Sequence, residues 1–142
     1  MPKISIIMPA LNVGAYIREC LHSVIEQTLE DIEIIVVDAG STDGTLEIIN
    51  EFALVDKRIQ VVHSKIKSYG YQLNLGFSLA KADYIGIVET DDYIMKDMYE
   101  CLYQIFDLIY NMNYLSYINL VLNQKYLYFL EQNYLIILLL YL

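Results

Sequence analysis

Cysteine is scarce in this 142-residue chain: only Cys20 and Cys101 are present, far apart and flanked by ordinary helix-forming residues. There is no CxxC pair and no disulfide-type spacing, which argues against a small secreted scaffold and makes a reduced, cytoplasmic compartment the expectation. Both are read as small apolar core residues. Basic charge is also short, with nine Lys and Arg against eighteen Asp and Glu and a net charge of −9. A nucleic-acid binder needs a basic face to neutralise phosphates, so that class is excluded. A phosphorylated ligand stays open to an acidic protein if a divalent cation mediates the contact. The two histidines, His22 and His63, lack metal-ligand spacing, and no serine stands in a nucleophile-elbow context, so zinc-enzyme and hydrolase readings find no support. Long hydrophobic runs are missing too. The segment 4–8 after Met1-Pro2-Lys3 is too short for a signal-peptide core, and the run 134–142 falls well below the roughly 20 residues that span a bilayer.

What is present is an alternation of two patterns. Short β-branched runs at 4–8, 32–37, 59–63 and 84–88 have the length of buried strands and are nearly continuous in apolar character, as in a parallel sheet covered on both faces. Between them lie helical periodicities. Ile17, Leu21, Val24 and Ile25 share one face; Leu46, Ile49, Phe52 and Ala53 share another, after the capping residues Ser41-Thr42-Asp43. A third helix is predicted over about 71–81, and a fourth from about Met95, with Met98, Leu102, Ile105, Phe106 and Ile109 as its apolar stripe. This alternation predicts an α/β fold with a Rossmann-like, mostly parallel sheet flanked by helices, whose ligands bind where loops leave the carboxyl ends of the strands.

Three such loops carry candidate chemistry. Strand four runs into Glu89-Thr90-Asp91-Asp92, three carboxylates in four residues with no evident packing role. Hard oxygen ligands so closely spaced suit Mg²⁺ or Mn²⁺ bridging to a diphosphate; the alternative is a solvated acidic turn. Strand two ends in Asp38, placed to accept hydrogen bonds from a nucleobase or ribose, while Asp43 is assigned mainly to capping and Gly44 to loop geometry. The stretch 68–76 offers Gly70 and Gly76 as points of close backbone approach and Asn74 as a polar contact. It is not the dinucleotide fingerprint, because its spacing fails and no strand immediately precedes it.

Taken together, the segments resemble the GT-A glycosyltransferases of family 2. The resemblance rests on Pro9-Ala10-Leu11-Asn12, on a helix leading to Gln27-Thr28, on the element from Val37 to Gly44, and on the Asp-x-Asp-like Glu89-Thr90-Asp91-Asp92, and it covers about residues 3–106. It implies that the sheet holds a nucleotide-diphosphate sugar, usually UDP-linked in the family, with Mg²⁺ or Mn²⁺ across the diphosphate. By position it implies nucleotide-sugar contacts from Pro9, Asn12, Asp38 and Asp91, and metal ligation by Asp91 and Asp92. It further implies inverting transfer of a sugar to a polysaccharide or lipopolysaccharide acceptor in cell-surface assembly.

The sequence departs from the family at Ala39, where many members carry a second aspartate, at Leu73, where many carry an arginine, and at Glu89, where aspartate is commoner. The expected division is a partial nucleotide-sugar-binding domain over 1–110 and a tail over 111–142. That tail is rich in Tyr, Leu, Ile and Asn, has only Lys125 and Glu131 as charges, and contains no glycine or proline. It reads as one or two sticky helices or as sequence not selected to fold; as helices it would suit peripheral contact with the inner face of a membrane or self-association. No acidic base motif follows Asp107, since Glu131 is the only later carboxylate. The expectation is a shortened glycosyltransferase with no assigned catalytic base, the alternative being a non-catalytic module that only binds the nucleotide sugar.

Overall fold

The computed structural model describes residues 1–111, and their side chains as far as residue 107. Four strands and four helices alternate: β1 (Ile4–Ala10), α1 (Ile17–Ile25), β2 (Ile32–Asp38), α2 (Thr45–Val55), β3 (Ile59–His63), α3 (Tyr69–Leu79), β4 (Tyr84–Ile87) and α4 (Met98–Asn111). The strands form one sheet in the order β3-β2-β1-β4, every pair parallel. Register runs from Ile4 opposite Ile32 to Ala10 opposite Asp38 between β1 and β2, and from Ile4 opposite Tyr84 to Ile7 opposite Ile87 between β1 and β4. The chain therefore builds outwards from β1 through β2 to β3, then crosses back to lay β4 on the other side of β1. That reversal makes a topological switch point at the carboxyl ends of β1 and β4, where sheets of this kind receive ligands.

Helices cover both faces, which is why all seven residues of β1 are buried. On one face Ile4, Ile6, Met8 and Ala10 pack with Ile32, Ile34 and Val36 of β2 against Ile17, Leu21 and Val24 of α1, Ile49 and Phe52 of α2, and Tyr99 of α4. Each fully buried aliphatic side chain contributes about 1.5–3 kcal/mol relative to exposure. The other face receives α3, whose approach to β1 is close enough that a Cβ on Gly76 would stand 2.5 Å from Cγ2 of Ile7. On the first face Gly86 plays the same part, since a Cβ there would lie 2.4 Å from the hydroxyl of Tyr99. Glycine is required at both positions by space.

Several elements differ from the sequence expectation. β1 continues through Pro9 and Ala10 because β2 supplies register partners as far as Asp38. Proline is tolerated there because alternate residues of β1 face β4. The Ile7 carbonyl accepts the Val88 N–H at 3.0 Å, and two residues on, at Pro9, the ladder has already ended. β3 is an edge strand, with Gln60 and His63 exposed. α3 begins two residues earlier than expected, which takes Tyr69 and Gly70 out of the loop and into the helix. α4 begins at Met98, and it buries Tyr99 while leaving Ile105 exposed, so the expected stripe is rotated. The predicted helical tail lies outside the described residues, as does the side chain of Ile109. Among the described residues no helix is long and apolar enough to cross a membrane.

The two α3 glycines give a controlled test. Gly76→Ala is expected to destabilise the fold by about 1–3 kcal/mol, because the methyl meets Ile7 in a packed interface. Gly70→Ala, whose Cβ meets nothing within 4 Å, is expected to be neutral or stabilising by up to about 1 kcal/mol. Urea unfolding of both variants beside the parent chain checks the contrast.

Candidate functional site

The site is assembled around the last two carbonyls of β1. The Pro9 carbonyl accepts the hydroxyl of Thr90 at 2.8 Å, which fixes the acidic loop after β4 to β1. The Ala10 carbonyl accepts the Ala39 N–H at 3.0 Å and the side-chain amide of Gln72 at 2.9 Å. The same Gln72 amide donates to the Val37 carbonyl at 2.6 Å, so one buried side chain of α3 staples the ends of β1 and β2. Leaving such buried carbonyls unmet would cost about 1–3 kcal/mol each, which gives this polar residue a reason to sit on a buried helix face.

The loops beyond these strand ends are tied to one another. Asn12, in the left-handed region at φ 54°, donates its N–H to the Ser41 hydroxyl at 2.9 Å. Its side-chain oxygen accepts the Thr42 N–H at 2.9 Å, so this residue clasps the β1 loop to the β2 loop. Asp38 is buried, and its carboxylate accepts the Gly40 N–H at 2.9 Å and the Ser41 hydroxyl at 2.5 Å, folding the β2 loop around itself. Asp43 accepts the hydroxyl and N–H of Thr45 at 2.6 and 3.1 Å and the Gly14 N–H at 2.9 Å. The Thr45 hydroxyl bond, then the Gly14 N–H, hold its carboxyl below the usual carboxylate range. The capping expected of Asp43 is thus visible, although the residue at the helix boundary is Gly44.

The acidic loop is held from beneath by α1. The Cys20 thiol donates to the Glu89 carbonyl at 3.4 Å, the Asp92 N–H reaches the same carbonyl at 3.1 Å, and the Ser23 hydroxyl accepts the Ile94 N–H at 3.1 Å. Gln27 donates to the Met95 carbonyl at 2.7 Å and accepts the Tyr99 N–H at 3.0 Å, which gives the Gln27-Thr28 pair its structural purpose. From the opposite side the Tyr69 hydroxyl donates to the Glu89 carboxylate. Asp91 and Asp92 are exposed, and neither side chain is engaged by a hydrogen bond or ion pair among the described residues.

Sequence-predicted residues therefore separate into two groups. Pro9 and Asp38, at the ends of β1 and β2, and Asn12, Asp91 and Asp92, in the loops beyond, belong to segments that hydrogen bonds draw to one end of the sheet. Gly70 and Asn74 lie one turn apart on an exposed face of α3. Of the two glycines expected to allow close backbone approach, Gly76 makes it within the chain, against Ile7, while α3 turns Gly70 outward, where a Cβ would meet nothing within 4 Å. His22 packs edge-on against Phe52 at 4.9 Å, a surface role. Among the described residues no three His, Cys, Asp or Glu side chains converge into a ready-made metal cage. Two free, exposed carboxylates nevertheless fit a Mg²⁺- or Mn²⁺-type ion, which commonly takes one or two carboxylates and completes its shell from substrate phosphates and water.

Gln72, Thr90 and Tyr69 were missed as site-building residues. Gln72 had a readable signal, a polar residue four positions before Gly76 and so on its buried face. Lys67 was also missed: its Cε lies 3.7 Å from the place a Cβ would take on Gly40, so its stem passes over the β2 loop.

A parallel α/β sheet with its polar loops gathered at the switch point is a ligand-binding domain of the GT-A type. The chain matches Glycosyl transferase family 2 over residues 5–117, and it belongs to that family. It is 44% identical over 102 residues to Glycosyltransferase GlyG of Streptococcus pneumoniae, an alignment covering 71% of this chain and 34% of that protein. Among solved structures it resembles S. aureus TarS 1-349 in complex with UDP-GlcNAc, with a TM-score of 0.69 and 29% identity over 76% of this chain and 32% of that one. It also resembles the mannosyltransferase PcManGT from Pyrobaculum calidifontis in complex with GDP-Man and Mn²⁺, with a TM-score of 0.60 and 26% identity, covering 65% of this chain and 28% of that one. The chain thus spans about a third of the length of the curated relative it matches at 44% identity.

Burial, and then the charges of Asp92, Asp91 and Glu89, push the Cys20 thiol up to about 12. The unfolded thiol titrates near 9.0, so the folded state keeps a proton that the unfolded state loses. This contribution to stability is complete below pH 9 and is lost as the pH rises towards 12. A thiol-specific reagent at pH 8 is expected to modify exposed Cys101 quickly and Cys20 only after denaturation. Two fast equivalents from the native chain would show the acidic loop to be open over α1.

Proposed function

We propose that this chain binds a nucleotide-diphosphate sugar, UDP-linked by preference, at the switch point between the ends of β1 and β4, as the donor-binding part of a metal-dependent, inverting glycosyltransferase. The observation that carries this reading is the gathering of the Asn12 and Asp38 loops and the free Asp91–Asp92 pair around the end of β1. The complexes of similar proteins with UDP-GlcNAc, and with GDP-Man and Mn²⁺, support it.

In this reading Pro9 and Asn12 shape the wall of the nucleoside pocket, and Asp38, its rotamer fixed by its own loop, offers a carboxylate to the base or ribose. Gly70 and Asn74 line the pocket from α3. Lys67 supplies positive charge on the donor side, where Leu73 supplies none. Asp91 and Asp92 would hold Mg²⁺ or Mn²⁺, and Asp91 would also serve the ribose. The bound ion supplies Lewis-acid neutralisation of the charge that develops on the departing diphosphate. An acceptor hydroxyl attacks the anomeric carbon with inversion as the nucleoside diphosphate leaves. We assign no described residue as the base that deprotonates the acceptor. The acceptor we propose is a growing cell-surface polysaccharide or lipopolysaccharide.

Calorimetric titration of UDP into the folded protein, with and without Mn²⁺, tests the donor site. Metal-dependent binding is expected, weakened about tenfold or more, or at least 1.4 kcal/mol, in the Asp91→Asn, Asp92→Asn double variant. Absence of binding by a parent chain whose circular dichroism shows it folded would overturn the reading.

A further inference from the structure

The three carboxylates of the acidic loop are not equivalent. Glu89 is taken: the Tyr69 phenol, on the first turn of α3, donates to its Oε1. The backbone of Glu89 is pinned as well, because its carbonyl accepts both the Cys20 thiol and the Asp92 N–H. Asp91 and Asp92 are left exposed and unengaged among the described residues. A phenol on a carboxylate forms a charge-assisted hydrogen bond and occupies a lone-pair direction that a cation would otherwise use. Burial, and then the Glu89 hydrogen bond and charge, push the Tyr69 phenol above its ordinary range, so it remains a donor throughout neutral pH.

The number of free carboxylates matters because charge count tunes the affinity of an oxygen-ligand site. A third free carboxylate would raise the affinity for a divalent ion with no nucleotide present. Two leave most of the shell to be completed by phosphate oxygens.

We propose that Tyr69 is a positioning residue that holds Glu89 away from the divalent cation, so that the Asp91–Asp92 pair alone forms the protein side of the metal site and tight metal binding waits for the diphosphate. The proposal rests on the donor-site reading above.

The test is titration of the full chain with Mn²⁺, free ion being read by electron paramagnetic resonance, with and without UDP. The proteins are the parent, Tyr69→Phe, Glu89→Gln and the double variant, each checked for folding by circular dichroism. The parent is expected to bind Mn²⁺ weakly alone and about tenfold tighter with UDP, while Tyr69→Phe binds Mn²⁺ alone about tenfold tighter than the parent. The double variant should return to the parent value, since the gain requires the released Glu89 carboxylate. A purely structural role for Tyr69 would not produce a gain that depends on Glu89. If Tyr69→Phe fails to fold, Glu89→Asp, shortened away from the phenol, must show the same gain. Unchanged affinity in Tyr69→Phe, or a gain that persists in the double variant, overturns this proposal while metal-dependent UDP binding by the parent stands. Loss of that parent binding overturns the donor-site reading and this proposal with it.

Discussion

The carbonyls at the carboxyl end of β1 are the point on which the rest of the site depends. Pro9 and Ala10 stand in the centre of the sheet, where β4 has just ended and β2 is about to end. Their two oxygens receive Thr90 from the acidic loop, Ala39 from the β2 loop and Gln72 from α3. A buried carbonyl must find a donor, and here each donor belongs to a segment that carries candidate chemistry. Satisfying the backbone and assembling the site are the same act.

A division of labour among the acidic residues follows. Asp38 accepts hydrogen bonds from its own loop, and Asp43 from Thr45 and from Gly14 of the β1 loop, and both fix loop shape. Glu89 is occupied by Tyr69. Of these five carboxylates, Asp91 and Asp92 are the two that face solvent with no hydrogen bond or ion pair among the described residues. Burial and the neighbouring charges keep the Cys20 thiol protonated, and burial does the same for the Tyr99 phenol. An arrangement that leaves negative charge unpaired at the end of a sheet suits a domain whose proposed ligand arrives with a divalent cation.

Much of the fold was legible because its signals are local. Strand runs and helix faces are periodicities, and the order of the four strands with their intervening helices follows from them. The loops after β1, β2 and β4 were legible because a polar cluster after a buried strand has few uses. The start of α3 was not: Tyr69-Gly70-Tyr71 has weak helix propensity and all three residues are exposed, and the contact made there is that of the Tyr69 phenol with Glu89, twenty residues on. The rotation of α4, burying Tyr99 and exposing Ile105, was equally out of reach. It is set by the space above Gly86, which belongs to another element.

The sequence by itself determined the class of fold, the loops that bear chemistry and membership of the glycosyltransferase family, since each rests on residues close together in the chain. Only the tertiary structure decided how the loops are tied together and that Glu89 is spent while Asp91 and Asp92 are free, because that depends on partners far away: Ser41 for Asn12, Gln72 for Ala10 and Val37, Tyr69 for Glu89. Hydrogen-bond donors brought across a sheet leave no periodicity behind them. Their pairing is a consequence of strand order, and strand order is fixed when β4 settles beside β1.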